Sequence, residues 1–298
     1  MMIRTKNTTI MKKNSNIRFL LALPAACFLL AACTGDDALP TGYNPAEGEG
    51  NAIRFTATID GDAPGTRIQI DELDGKGRFT AGDEIGIVAI SNVAYRKLAA
   101  TYSNDIWTAN ISWDILKTAS VDFHAFFPKK TVGLLESEII EVPTDQSVPA
   151  AYTNADLLYA NATGQQKSDN PVKLDFHHIL ARIKINLKQG SGLTDDEFAA
   201  ATVVIRNVYT GYKVTSDGII SAVTDHTADI IPKESAGQSA EGRIFYAVLP
   251  PQTLPDNSEF TVTAAGRQHT YNYRMTSITE LLPGNEYLFP VRLSKFGS

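Results

Sequence analysis

Cysteine is almost missing from this chain: there are two, Cys27 and Cys33, and none follows in the rest of the 298 residues. With Cys33 chemically blocked, the body of the protein has no free thiol, so disulfides, thiolate metal sites and cysteine catalysis are excluded, and stability must come from core packing. Motifs that carry chemistry are also lacking. The chain has no H-E-x-x-H, no G-x-S-x-G, no P-loop and no G-x-G-x-x-G after a strand. Its five histidines are His124, His177, His178, His226 and His269, and only His177 and His178 are neighbours. In a strand those two point to opposite faces and cannot chelate one ion together. The phase of the strand puts His177 on the core side with Ile179, as a buried, hydrogen-bonded structural residue, and His178 on the polar face with Arg182. His124, opposite the Phe123/Ala125/Phe127 face, reads as a surface or cross-strand residue. The acidic groups Asp36-Asp37, Asp71-Glu72, Asp83-Glu84 and Asp195-Asp196-Glu197 lack the order of a calcium loop and read as turn and cap residues. A glycosidase carboxylate pair leaves no fixed spacing, so a surface hydrolase stays open as the third functional reading. The expectation is a protein that is not an enzyme and holds neither cofactor nor metal.

Long apolar runs are equally scarce. Phe19 to Ala32 is an uncharged stretch of fourteen residues, short of the ~20 that a membrane-spanning helix needs. Arg4, Lys6, Lys12, Lys13 and Arg18 precede it, and Leu30-Ala31-Ala32-Cys33 ends it. A basic start, an apolar middle and small residues at the cut make a secretory signal peptide over residues 1–32. The ending resembles the lipobox of bacterial lipoproteins, which implies diacylation of the Cys33 thiol, cleavage before it and acylation of the new amine. Thr34-Gly35-Asp36-Asp37 resembles the surface-export signal of Bacteroidetes lipoproteins, implying an outer-membrane lipoprotein displayed outward.

Residues 1–32 hold five of the 27 Lys and Arg and none of the 33 Asp and Glu, leaving 22 cations against 33 anions, a net −11. Such a chain offers nothing to nucleic acid, and its acidic surface is expected to supply no basic face for anionic lipid. The lipid is then the only membrane link. Residues 33–50 are rich in Gly, Pro and acids and read as a flexible tether.

Beyond it the period becomes two. Ile53, Phe55, Ala57 and Ile59 alternate with Arg54, Thr56, Thr58 and Asp60, the pattern of a half-buried strand ended by the turn Gly61 to Gly65. Further strands are expected at 85–90, 121–127, 176–188, 202–209, 244–249, 260–264, 270–275 and 287–293. In the 176–188 strand, Ile179, Ala181, Ile183, Ile185 and Leu187 form the core face, and Arg182, Lys184, Asn186 and Lys188 the wet one. Thr194-Asp195-Asp196-Glu197 reads as a capping box opening a short helix across Phe198 to Ala201. Many short strands with Gly, Pro and Asn turns indicate an all-β protein of β-sandwich type. The polar stretch Asn161 to Pro171 is the expected connection between two units, residues 51–166 and 167–298, each of a size suited to one sandwich.

Six segments in order resemble one family. Phe79 followed by Ala81-Gly82-Asp83-Glu84-Ile85-Gly86-Ile87, with Thr66-Arg67 upstream, resembles a segment of Bacteroidetes fimbrillin-like proteins. So do Phe123-His124-Ala125-Phe126-Phe127-Pro128 and Phe176-His177-His178-Ile179-Leu180-Ala181-Arg182-Ile183. Val248-Leu249-Pro250-Pro251-Gln252 and Leu282-Pro283-Gly284-Asn285-Glu286-Tyr287 complete the series. The resemblance implies two tandem Greek-key, transthyretin-like sandwiches and a subunit or accessory lipoprotein of a type V-like fimbrium, active in adhesion. It implies partners: other fimbrial subunits joined by strand exchange, the outer membrane through the lipid, and a host or bacterial surface ligand. It further implies an Arg-specific protease that removes an N-terminal strand so that a neighbour's strand can fill the groove. Ile53, Phe55, Ala57 and Ile59 would be the exchanged strand, with cleavage at Arg67, or at Arg54 as the rival site. The further C-terminal strand frequent in the family is missing after Ser294 to Ser298, so stalk, tip and anchor roles all remain open, and residues 287–296 are a second candidate donor. The alternative reading is a monomeric surface glycan-binding lipoprotein, with Trp107 and Trp113 as a stacking platform.

Overall fold

The computed structural model describes residues 52–59, 79–93, 95–129, 138–235, 242–263, 270–275 and 278–294. Cys33, the leader, the tether, Thr66-Arg67 and His269 lie outside the described residues. The first strands are β1 (Ala52–Ile59), β2 (Glu84–Ile90), β3 (Tyr95–Ser103), β4 (Ile106–Ser112) and β5 (Val121–Phe127), with the short α1 (Trp113–Leu116) after β4. Next come β6 (Ile140–Glu141), α2 (Pro149–Ala155), β7 (Leu158–Gln165), β8 (Val172–His178), β9 (Ala181–Gln189) and α3 (Asp195–Ala199). Then follow β10 (Thr202–Val214), β11 (Ile220–Ile230), β12 (Lys233–Glu234), β13 (Arg243–Leu249) and β14 (Gln252–Thr253). The chain continues through β15 (Glu259–Thr263), β16 (Thr270–Arg274), β17 (Glu280–Leu281) and β18 (Glu286–Leu293). The described residues are all-β apart from three short helices, as expected.

Seven strands close into a barrel in the order β1-β4-β3-β2-β5-β7-β8, with β8 returning to β1. Closure leaves no open sheet edge there. Alternate residues fill it: Ile53 and Phe55, Ile85 and Ile87, Phe123 and Ala125, Leu174 and Phe176, all nearly or wholly inaccessible. Phe79 packs against the ring edges of Trp107 at 4.9 Å, Phe127 at 5.3 Å and Phe176 at 6.0 Å. Just after Phe79, the Asp83 carboxylate accepts from the Thr80 amide at 2.8 Å and hydroxyl at 3.1 Å, and Gly82 takes φ +94°, so this turn aims Ile85 and Ile87 inward.

The second core lies between two facing sheets, β12-β13-β9-β18 and β11-β10-β15-β16, with β6 also on β10. Phe260 and Phe289 meet across them edge to face at 4.7 Å. This core takes residues from both halves of the sequence. Tyr152 and Ala155 of α2, Phe126 of β5 and Tyr159 of β7 all belong to it. The polar stretch 161–171 is a hairpin within the barrel, since β7 runs to Gln165 and β8 carries Val172, Leu174 and Phe176 into the first core. The core changes after His178, not at 166/167.

The expected strand 176–188 is two strands. Both Ile179 and Leu180 are buried, which breaks the two-residue phase between β8 and β9. His177 is therefore exposed, edge-on to Tyr159 at 5.5 Å, and His178 turns inward, its Nδ1 2.6 Å from the buried Asp156. The two expected histidine roles are exchanged. Of the expected wet face, Lys184 and Lys188 are half-buried, but Arg182 and Asn186 are buried because Glu286 and Tyr246 of the flanking strands cover Arg182, and Asn186 lies between β13 and β18. The capping box is present: the Glu197 amide donates to Thr194 Oγ1 at 3.2 Å, and the Thr194 amide to Glu197 at 3.0 Å. It opens α3 slightly earlier than expected.

Two buried glutamines stand in for missing strand neighbours. At Val248, where β12 no longer flanks β13, Gln146 accepts from the Val248 amide at 2.9 Å and donates to its carbonyl at 2.9 Å. At Tyr209, between the stretches of β10 paired with β15 and β6, Gln252 does the same at 2.9 and 3.0 Å, and also donates to the Pro250 carbonyl at 3.0 Å. A primary amide matches a peptide group in donor and acceptor, so each fills one rung of a ladder. Gln252→Ala should strand the amide and carbonyl of Tyr209 and lower stability by about 2–4 kcal/mol in urea unfolding. A loss under about 1 kcal/mol would mean that neighbouring groups or water replace the rung.

Candidate functional site

Strand β1 is the terminal described strand, yet it sits inside the barrel wall. It pairs antiparallel with β4, Phe55 opposite Trp107, and parallel with β8 from Phe55↔Val172 to Ile59↔Phe176. Two ladders therefore hold it through its backbone. Ile53 and Phe55 are wholly inaccessible, and the Phe55 ring meets Phe123 edge to face at 5.2 Å. Ala57 and Ile59 are partly buried against the same core. Outward, Thr58 donates to Asp175, which also holds Lys173 at 2.9 Å. The Thr58 hydroxyl first, and then Lys173, keep this carboxyl below the usual carboxylate range.

Arg54 lies on the exposed face of β1 and its guanidinium donates to the Asp169 carbonyl. As a residue inside a paired strand it is a poor protease substrate, because cleavage requires a free extended backbone. Without β1, a slot would open between β4 and β8, lined by the pockets of Ile53 and Phe55. The partner strand β8 was not among the expected strands before residue 176, although Val172-Lys173-Leu174-Asp175-Phe176 alternates as cleanly as β1.

The expected stacking platform is not on the surface. Trp107 is 0 % and Trp113 8 % exposed, both packed into the barrel core, so neither ring offers a face to a sugar. Among the described residues no group of three or more His, Cys, Asp or Glu could hold a metal ion, and no helix is long and apolar enough to cross a membrane.

Titratable groups do gather where the barrel meets the β10–β11 hairpin. His124 Nδ1 lies 2.7 Å from the Tyr159 hydroxyl, making His124 the cross-strand residue expected. Gly218, at φ +82°, rests on the Tyr159 ring, where a Cβ would come within 2.7 Å of ring carbon. Burial pushes the Tyr159 phenol up to about 12. Burial also holds the His124 imidazole below its ordinary value, against the opposing pull of Asp122 and Asp217. A value lower in the folded state means that the unfolded chain binds more protons on acidification. This contribution to stability is thus whole above the ordinary imidazole value of 6.5 and is lost as pH falls below it. His124→Gln should flatten the fall of the urea midpoint between about pH 7.5 and 5. An unchanged slope would assign that titration to other groups.

The arrangement is that of a β-strand scaffold with one strand, β1, held between two distant parts of the chain. A family model described as fimbrillin-like matches residues 66–297. A candidate fimbrium subunit, Fim1C, of Bacteroides uniformis is 28 % identical over 305 residues, covering 96 % of this chain and 92 % of its own. Among solved structures, a candidate cell adhesion protein of Bacteroides uniformis superposes with a TM-score of 0.60 at 22 % identity, covering 82 % of this chain and 94 % of its own. Another, from Bacteroides ovatus, gives 0.58 at 16 % identity over 81 % and 91 % of the two chains. At those identities the structural likeness is one of fold. With its match over most of the length, this chain belongs to the fimbrillin-like family.

Proposed function

We propose that this protein is a surface-displayed fimbrial subunit that joins its neighbours by β-strand addition at the slot held by β1. The observation that carries the reading is the position of β1: the first described strand, buried through Ile53 and Phe55, laddered on both sides and followed by residues 60–78 before the next described segment. Its replacement by a strand of like pattern would restore both ladders and both pockets. The chain is made as a lipoprotein anchored to the outer membrane through Cys33, with residues 1–32 removed and 33–50 as tether. On this reading the two cores are tandem units of Greek-key, transthyretin-like type, the first closed at its edges into a barrel and the second an open sandwich. Cleavage at Arg67 frees the strand; Arg54 is the weaker site because it lies within the paired strand. Stalk, tip and anchor roles differ in whether this cut is made. The glycan-binding alternative has lost its tryptophan platform.

The test is N-terminal sequencing of surface-sheared material, run unboiled on a denaturing gel. A new terminus at Ile68 in an SDS-resistant ladder is expected, and Arg67→Gln should abolish both. A chain that still begins at lipidated Cys33 within such a ladder would overturn the cleavage. A single band with that terminus would overturn the stalk role and leave an anchor.

A further inference from the structure

The outer face of the sheet β12-β13-β9-β18 carries an arrangement that strand addition does not use. Residues directly opposite one another in a ladder share a face. The registers therefore set Lys233, Tyr246, Lys184 and Leu288 in one row, with Val248, Arg182 and Glu286 in the row beside it. On the other side follow Ile244, Asn186 and Pro290, then Lys188 beside Arg292. Ile183, Ile185 and Leu187 point the other way into the core; on this face Val248 and Arg182 are buried and Lys233 lies over the Tyr152 ring, while the part that carries Lys184, Lys188 and Arg292 is turned toward solvent. It gathers five cations against one carboxylate, Glu286, which is committed to Arg182. Lys184, Lys188 and Arg292 have no carboxylate partner among the described residues. The whole chain has a net charge of −6, so the charge here is opposite to that of the molecule, and the expectation of no basic face fails because net charge does not report how cations are grouped by strand register.

We propose that this face binds an extended acidic polysaccharide, carboxylated or sulfated, lying along β9. The cations follow the strand: Lys184 and Lys188 are four residues apart, about 13 Å, and Arg292 stands one strand over from Lys188. A polymer with charge repeated along one line meets all three at once, which makes weak contacts add. A protein partner fits less well. Apart from Leu288, 54 % exposed, the face has no large exposed apolar side chain to anchor an interface. The Tyr246 ring is already taken up by Arg182 at 5.3 Å and Lys184 at 5.9 Å.

The edge of this sheet is also unsuited to a peptide strand. The Arg182 amide donates to the Asn285 carbonyl and the Gly190 amide to the Leu293 carbonyl, so the odd residues of β18 face β9. Pro290, an even residue, turns toward the open edge and has no N–H to offer. The edge is blunted and the face remains.

The experiment uses the full mature chain on affinity gels containing polygalacturonate, chondroitin sulfate or neutral dextran. Retardation by one or both polyanions, weakening with salt, and none by dextran is expected. The arm that retards more identifies carboxylate or sulfate as the favoured group. Lys184→Gln/Lys188→Gln/Arg292→Gln should weaken retardation about tenfold, the combined effect of three surface ion pairs. Arg96→Gln/Lys97→Gln/Lys213→Gln, equal in charge and exposed elsewhere, should leave it unchanged. Equal loss in both triple variants, loss in neither, or retardation by dextran would overturn the proposal. So would salt-sensitive self-association without polyanion that the first triple variant abolishes, since the face would then serve a second copy of the chain.

Discussion

The rest of the structure hangs on one nearly continuous backbone ladder, the run of chain through β8 and β9. On one side of it lie β7 and then β13, both antiparallel; on the other lie β1 and then β18, both parallel. The first half of the run closes the barrel and the second half is the spine of a sandwich sheet. Ile179 and Leu180, both buried, are the two residues in which the chain changes from one core to the other. At that point the Gly284 amide donates to the Leu180 carbonyl at 3.1 Å and the Ile179 amide to the Leu157 carbonyl at 3.1 Å, so the crossing is laddered on both sides. The two cores share a backbone, and neither sheet system is complete without it.

Polar groups are used inside this frame as substitutes for backbone. Gln146 and Gln252 each complete one rung where a strand falls short, and Asp156 binds both His178 and the Leu157 amide beside the crossing. Burying such groups is costly unless they are paired, and here each is paired with the peptide or ring that would otherwise be left bare. The Pro-Pro-Gln sequence after β13 thereby has a physical meaning: the prolines end the strand and the glutamine returns to patch β10.

Much of this was legible in residues. The alternation of Ile53, Phe55, Ala57 and Ile59 located β1, and that of Phe123, Ala125 and Phe127 located β5, because one buried face imposes a period of two. The capping box at Thr194 was legible because its two bonds are local. Strands buried on one face by small or polar residues were not legible. In β7, Asn161-Ala162-Thr163-Gly164-Gln165 has the composition of a loop and is a strand only because β5 pairs with it. In β11 the outer edge is exposed, so Ser, Thr and Asp carry no hydrophobic signal. The histidine roles failed for a related reason: periodicity assumes one unbroken strand, and two buried residues in succession shifted the phase. For the candidate site, sequence supplied the strand but not its place within the wall, since a parallel partner more than a hundred residues away leaves no local mark.

That parallel pairing bears on the order of events as the chain folds. Thr58 and Asp175, partners across the ladder, are 117 residues apart, the sort of contact whose loop-closure entropy delays it. The first described strand cannot complete both of its ladders until β8 has been made. Until β1 is seated the barrel lacks one stave and β4 and β8 each lack a neighbour, so seating this strand and closing the barrel are a single event.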